Sequence, residues 1–311
     1  MDTLMGGHYQ AAESLCDTIE TRFTGHPARY HARATVLYSH MIDMEDTVGR
    51  AEFMALEDSC ARACETLLQA RSDYSPELGY LIGSASSTRG LLLLHEQNIL
   101  GGLQLLMNAR NAFDRVIETD STFFDAYLGR GAYRVAVARN AKSFAFLPFI
   151  PSEASGWSDL WIAVEHSRFS RYTALSAMVW FALDDRNFAL ADSICKLGLE
   201  RFPNSRGFLW PRLSLEVRQN QWPNAEQTAQ LLLNQYVNHP DNNGYETTAL
   251  YWRLMICADS LNRPEDAIAM ARAGLAAYRT ADAEQRRHDK LTAMEARIAR
   301  VEPEYRYQRG Q

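Results

Sequence analysis

Small residues recur along this chain at fixed offsets behind an aromatic or a proline, and no other feature narrows the available folds so far. Phe188 is followed by Ala191, Cys195, Gly198 and Pro203, at +3, +7, +10 and +15. Trp222 is followed by Ala225 and Ala229, Pro264 by Ala267, Ala271 and Gly274, and Tyr9 by Ala12 and Cys16. Phe53 is followed by Cys60 at +7, with Leu56 standing at +3. Residues three and four apart share a helix face. Small side chains there let a partner helix approach toward the short end of the usual range of about 8–10 Å, and the aromatic fills the gap beside them. The step from Phe188 to Trp222 is 34 residues, while Tyr9 to Phe53 is 44 and Trp222 to Pro264 is 42. The pattern predicts an array of antiparallel helix pairs of unequal length.

The punctuation agrees. Turn residues separate the apolar-periodic segments at Gly25-His26-Pro27, Pro203-Asn204-Ser205 and His239-Pro240-Asp241-Asn242-Asn243-Gly244. Pro223 and Pro264 fall at helix starts, where a missing N–H costs nothing. Helices are predicted near 6–23, 28–45, 50–70, 75–96, 100–119, 122–140, 154–168, 171–184, 187–202, 205–219, 222–236, 243–261, 264–279 and 282–301. No segment alternates with period two, so no sheet is expected.

The offsets after Phe188 resemble the second helix of a tetratricopeptide repeat, whose period is the 34-residue step. The likeness implies an all-α, α-α superhelix: a TPR-like solenoid of about seven antiparallel helix pairs. It would form a single domain over 1–301, with irregular repeats over 1–150, more regular ones over 154–280, a capping helix at 282–301 and a frayed tail over 302–311. Three stretches, Asp125-Ala126-Tyr127-Leu128-Gly129-Arg130-Gly131-Ala132-Tyr133, Phe146-Leu147-Pro148-Phe149 and Phe202-Pro203-Asn204-Ser205-Arg206-Gly207-Phe208-Leu209-Trp210, resemble a bacterial tetratricopeptide-repeat family of undefined biochemical role. That resemblance runs from about residue 8 to 280. It implies an envelope location and brings no catalytic residue with it.

Composition removes other classes. The chain has 311 residues, 32 basic against 38 acidic, for a net charge of -6. Nucleic-acid binders draw most of their affinity from phosphate neutralisation and carry a basic surplus, so that class is set aside. The most apolar long stretch, Leu91 to Met107, is interrupted by His95, Glu96, Gln97 and Asn98 before the roughly 20 residues that a membrane span needs. Met1 to Gly7 has neither the basic nor the apolar region of an export signal. The chain does begin in what reads as the second helix of a pair, as removal of a leader would leave it, so a mature periplasmic or envelope protein and a cytoplasmic one are both open.

Several residue types invite chemistry. Cys60 and Cys64 are four apart on one helix face, but Cys16, Cys60 and Cys195 share the buried +7 position, where free cysteine behaves as a small hydrophobe. His95-Glu96 lacks the second histidine of a zinc-protease helix, since Ile99 stands there, and Glu165-His166 has no further ligand at metal spacing. Carboxylates at Asp43, Glu45 and Asp46, at Glu57-Asp58, at Asp184-Asp185 and at Glu265-Asp266 read as helix-end or solvated groups. Gly101-Gly102 and Gly129-Arg130-Gly131 lack phosphate-loop spacing and read as sites of close helix contact. No catalytic residue, metal or cofactor is implied.

Candidate binding residues lie on the first helices of the pairs, which line the concave surface in such arrays. They are Tyr80, then Tyr127, Arg130, Tyr133 and Arg134 on one helix, and Trp210, Arg212, Tyr251, Trp252 and Arg253 further on. Arginine can hold a carboxylate through two parallel bonds, and aromatics are common anchors of interfaces. A further candidate is the aromatic connection 144–151 with Phe146 and Phe149, in which Pro148 and Pro151 preclude a regular helix, together with Trp157 and Trp161 just beyond. It is either a plug for the helix stack or a wall of a ligand cavity. The leading reading is a non-catalytic scaffold binding a peptide or partner protein in the concave groove. The alternative is a carrier of a small hydrophobic or carboxylate ligand linked to envelope transport. A hydrolase with two facing carboxylates is a third reading, which needs a convergence that spacing does not show.

Overall fold

The computed structural model describes residues 1–140 and 151–301, and 16 helices with no strand account for the regular structure among them. In chain order these are α1 (Asp2–Met5), α2 (Tyr9–Arg22), α3 (Ala28–Met44), α4 (Arg50–Gln69), α5 (Pro76–His95), α6 (Ile99–Thr119), α7 (Asp125–Asn140) and α8 (Glu153–His166). They are followed by α9 (Arg171–Asp184), α10 (Phe188–Arg201), α11 (Arg206–Arg218), α12 (Trp222–Val237), α13 (Tyr245–Ser260), α14 (Pro264–Ala276), α15 (Ala281–Arg286) and α16 (His288–Val301). Two compact units are distinguished. The first comprises Met1–Met41, Thr47–Phe181 and Glu200–Pro203; the second comprises Ile42–Asp46, Ala182–Leu199 and 204 onward. No helix among the described residues is long and apolar enough to cross a membrane.

The small-residue offsets do what their spacing requires. Ala191, Cys195, Ala225, Ala229, Ala267 and Ala271 are each fully buried, as are Phe53 and Cys60. Glycines mark the closest approaches. A Cβ on Gly131 would meet the Gly156 carbonyl of α8 at 2.9 Å, and one on Gly156 would meet the Gly131 carbonyl at 2.9 Å, so α7 and α8 touch backbone to backbone. The Phe113 ring of α6 lies between Gly83 of α5 and Gly129 of α7. Gly198 in the second unit is covered by the ring of Phe208.

The turn inside a pair also repeats. Arg186, Asn220 and Asn262 all have φ 56, at steps of 34 and 42 residues. In each case the next N–H reaches back five residues: Asn187 to the Ala182 carbonyl at 2.8 Å, Gln221 to Glu216 at 2.8 Å and Arg263 to Ala258 at 2.9 Å. This left-handed stop satisfies carbonyls that a helix end would otherwise leave bare. Gln97, with φ 63, closes α5 in the same way, the Asn98 N–H bonding the Leu93 carbonyl at 2.8 Å. The start of α6 is therefore a further repeat position, with Gly102 and Ala109 at +3 and +10 from Ile99. Its Leu106 at +7 and its lack of an aromatic hid it from the sequence pattern.

Side-chain caps fix several helix starts. Asn98 accepts from the Gly101 N–H at 3.2 Å, Ser152 from Ser155 at 3.2 Å and Thr280 from Ala283 at 3.2 Å. Two boundaries differ from those predicted. The segment near 6–23 is preceded by the separate short α1, because Gly7 at φ 76 breaks the backbone before α2. The expected single helix over 282–301 is two helices, since α15 ends at Arg286 and the backbone of the following Arg287 leaves the helical region at φ -107 and ψ 14. The two answer to different surroundings: α15 buries Ala283, whereas α16 buries Leu291, Met294 and Ile298 against Met255, Ala258, Ala267 and Ala271. The readings on Phe146, Phe149 and the tail from 302 lie outside the described residues.

Candidate functional site

Most candidate side chains of the first unit are engaged by neighbours inside the protein. Tyr80 lies among aromatics, 5.2 Å from the Phe123 ring and 6.1 Å from Phe113 by centroid, and burial pushes its phenol up. Tyr127 is buried and donates its hydroxyl to the Ser121 carbonyl at 3.1 Å. Arg130 and Arg134 do share a face, and it faces Asp159 of α8. Arg130 donates from Nε and Nη2 to the two Asp159 oxygens at 2.8 and 2.7 Å, and Arg134 adds a bond at 2.9 Å. Asp159 retains only 5% of its side-chain exposure, and the Arg130 guanidinium lies 4.7 Å over the Tyr127 ring. Tyr133 is half-buried. Trp157 meets the Phe181 ring edge-on at 6.2 Å, and Trp161 is exposed.

Two further buried acids in this unit carry structural loads. Asp125 accepts the N–H groups of Arg168, Phe169 and Ser170 at 3.1, 2.8 and 2.8 Å and so fixes the chain entering α9. Glu57, with no exposed area, accepts from His31 at 3.0 Å and from Thr88 at 2.8 Å. Burial alone would lower the His31 pKa, but the Glu57 charge and hydrogen bond outweigh it and hold the imidazole above its ordinary value. The five cysteines are free and buried. Burial raises Cys195 to about 12 and Cys257 to about 11, and Cys60, hydrogen-bonded to Cys64, is pushed up as well. Thiols held protonated in this way are poor nucleophiles.

In the second unit the candidates separate into bound and open. Arg212 is neutralised by Asp192 and by Glu216, both at 2.6 Å, and Thr228 donates to Glu216 at 2.8 Å. Trp210 donates its indole N–H to the Tyr236 hydroxyl at 3.0 Å; Tyr236 in turn donates to Asp43 at 3.1 Å, which also takes Arg206 at 2.7 Å. Tyr251 packs into the cores on both sides of α13. Trp252 and Arg253 differ from these. The Arg253 guanidinium sits 4.8 Å over the Trp252 ring, and Lys290 of α16 brings its ammonium to 4.2 Å from the same ring. Among the described residues no carboxylate lies within ion-pair distance of Arg253, and burial pushes its pKa below the ordinary value.

Beside this patch, at the start of α13, Tyr245 lies between two guanidinium groups, Arg286 at 4.0 Å and Arg287 at 3.6 Å. Arg286 bonds Glu45 at 2.7 Å and Arg287 bonds Glu246 at 3.1 Å. Lys290, Arg286 and Arg287 belong to the charged stretch Arg286-Arg287-His288-Asp289-Lys290, which lies within the predicted helix 282–301 and held no candidate binding residue. An open cleft of about 490 Å³ lies alongside, lined by Ala281, Glu284, Gln285 and His288.

The arrangement defines an all-α protein of antiparallel helix pairs with a cation–aromatic patch on α13 and α16. No protein-family model matches the chain, and no curated protein matches it. Among solved structures, the crystal structure of yeast Tom70 matches with a TM-score of 0.36 and 14% sequence identity, over 82% of this chain and 61% of that one. The chain thus spans less than two thirds of that structure's length, and a likeness at this level bears on neither partner nor activity.

Proposed function

We propose that this chain is a non-catalytic scaffold for protein–protein contact, and that it takes an extended acidic segment of a partner across α13 and α16. The observation that carries the reading is Arg253. Its counterparts among the candidates, Arg130, Arg134 and Arg212, are neutralised inside the protein, whereas Arg253 is partly desolvated with no carboxylate beside it among the described residues. Such a charge gains from a counter-ion supplied from outside. The Trp252 ring supplies an anchor, with Lys290, itself paired with Asp289 at 2.7 Å, over its face. Repeat arrays of helix pairs offer extended surfaces suited to such segments.

The test is selection of binders from a random peptide library, followed by calorimetric titration. Acidic peptides are expected, and Arg253→Ala is expected to weaken them at least about tenfold, roughly 1.4 kcal/mol. Arg300→Ala, on the exposed side of α16, is expected to leave them unchanged. Peptides without acidic residues, or affinity indifferent to Arg253, would overturn the proposal. Native mass spectrometry of the same preparation covers the carrier reading, which a retained apolar molecule would favour.

A further inference from the structure

The surface most at odds with an isolated chain is the outer face of α6. Leu100 is 84% exposed, and Ile99, Leu103 and Met107 are between 44% and 53% exposed, with Leu91 of α5 at 44%. Leu100, Leu103 and Met107 stand at i, i+3 and i+7 and form one stripe. From Gln97 to Ala109 no residue is ionisable, in a chain of which 23% is charged. Polar character along the stripe comes from the amides of Gln104 and Asn108, exposed and hydrogen-bonded to each other at 3.2 Å.

We infer that this face joins two copies of the chain in a two-fold, isologous contact. A two-fold interface sets each surface against itself, so any charge near the axis meets its own kind. At a net charge of -6, two copies repel through most of their surfaces, and a neutral stripe brings them together at the least electrostatic cost. Amides suit the same symmetry, since each carries both donor and acceptor and can bond its own copy. A charged partner would find no complement here. A bilayer surface is disfavoured as well, because helices that lie in membrane interfaces flank their apolar face with Lys and Arg; the roughly three turns from Ile99 to Ala109 have none, and the next arginine, Arg110, is paired with Asp114 at 2.7 Å. The apolar side chains then become buried, as a contact between copies requires.

Sedimentation velocity of the full chain across roughly 0.5 to 100 μM, a span that brackets ordinary micromolar affinities, tests the inference. A dimer of the 35.3 kDa chain is expected, with Leu103→Glu/Met107→Glu monomeric over the same range and unchanged in helical circular dichroism. Leu231→Glu, at an exposed leucine on α12, is expected to stay dimeric. Because the native cysteines are buried, Gln104→Cys adds a reporter: a short bismaleimide is expected to link two copies at that position. A wild-type monomer throughout, a dimer that survives the double substitution, or a stripe that binds neutral vesicles while the protein stays monomeric would each overturn it.

Discussion

At Glu246 burial and four charged neighbours compete. Burial raises its pKa most, Arg287 lowers it, Glu45 and Asp43 raise it and Arg286 lowers it, leaving the carboxyl at about 7 against an ordinary 4.5. Between those two values the folded protein holds a proton that the unfolded chain has released, so stability falls as the pH rises through that window. Glu246→Gln removes the titration. Urea unfolding is expected to show a flatter pH profile between 5 and 8 and, at the upper end, a gain on the order of 2 kcal/mol; a profile as steep as the wild type's would refute this. The His31–Glu57 pair has the same pH sense, with its window beginning at the ordinary histidine pKa. Its raised histidine contributes fully below the ordinary histidine pKa and is lost as the pH rises through the folded value. None of this was legible in the chain alone, where Asp43, Glu45 and Glu57 read as solvated or helix-end groups. Each has its counter-charge far away in sequence: Asp43 on Arg206, Glu45 on Arg286, Glu57 on His31.

Helix pairing rests on a few atoms of clearance. Gly198 sits at +10 from Phe188, and the Phe208 ring of the next pair occupies the space where a Cβ would go. Phe208 itself is fully buried, so it has nowhere to retreat. Gly198→Ala is expected to cost about 1–3 kcal/mol through overpacking, read as a lower midpoint in thermal or urea unfolding. Adding Phe208→Leu should recover part of that loss, because the two changes share one volume; strictly additive losses would show that the contact does not set the distance. At this scale the sequence was informative. The small residues at +3, +7 and +10 mark where a neighbouring element packs close, its backbone at Gly102 and a ring at Gly198. The pair α5–α6 escaped because Ile99 and Leu106 replace the aromatic and the small residue, while its turn at Gln97 keeps the left-handed geometry. A backbone conformation can persist where its side-chain signature has drifted.

For the molecule as a whole, a repeat array must finish with an element that is apolar inside and polar outside. In the second unit α16 places Leu291, Met294 and Ile298 against the core residues of α13 and α14. A chain ended after Arg279 loses those three buried side chains, a loss of about 5 kcal/mol from burial alone. It is expected to unfold at lower urea and to bind a hydrophobic dye. A truncated chain with the wild-type midpoint would show that the core closes without α16. A helix over 282–301 was readable in the sequence, but the break at Arg287 was not, because Arg287 is held by the Tyr245 carbonyl and Glu246, about forty residues away.

By itself the sequence determined that this chain is helical throughout its patterned length, where the helices run and which residues let them pair, because helix periodicity and backbone clearance are local properties written within a turn or two. Tertiary structure alone decided which charges are spent. Arg130, Arg134, Arg212 and Arg253 look equivalent along the chain, and only the positions of Asp159, Asp192 and Glu216 in space distinguish the first three from Arg253, which has no carboxylate beside it among the described residues. Electrostatic pairing acts over a few ångströms between residues that the chain separates by tens of positions, so it belongs to the fold and cannot be read from spacing.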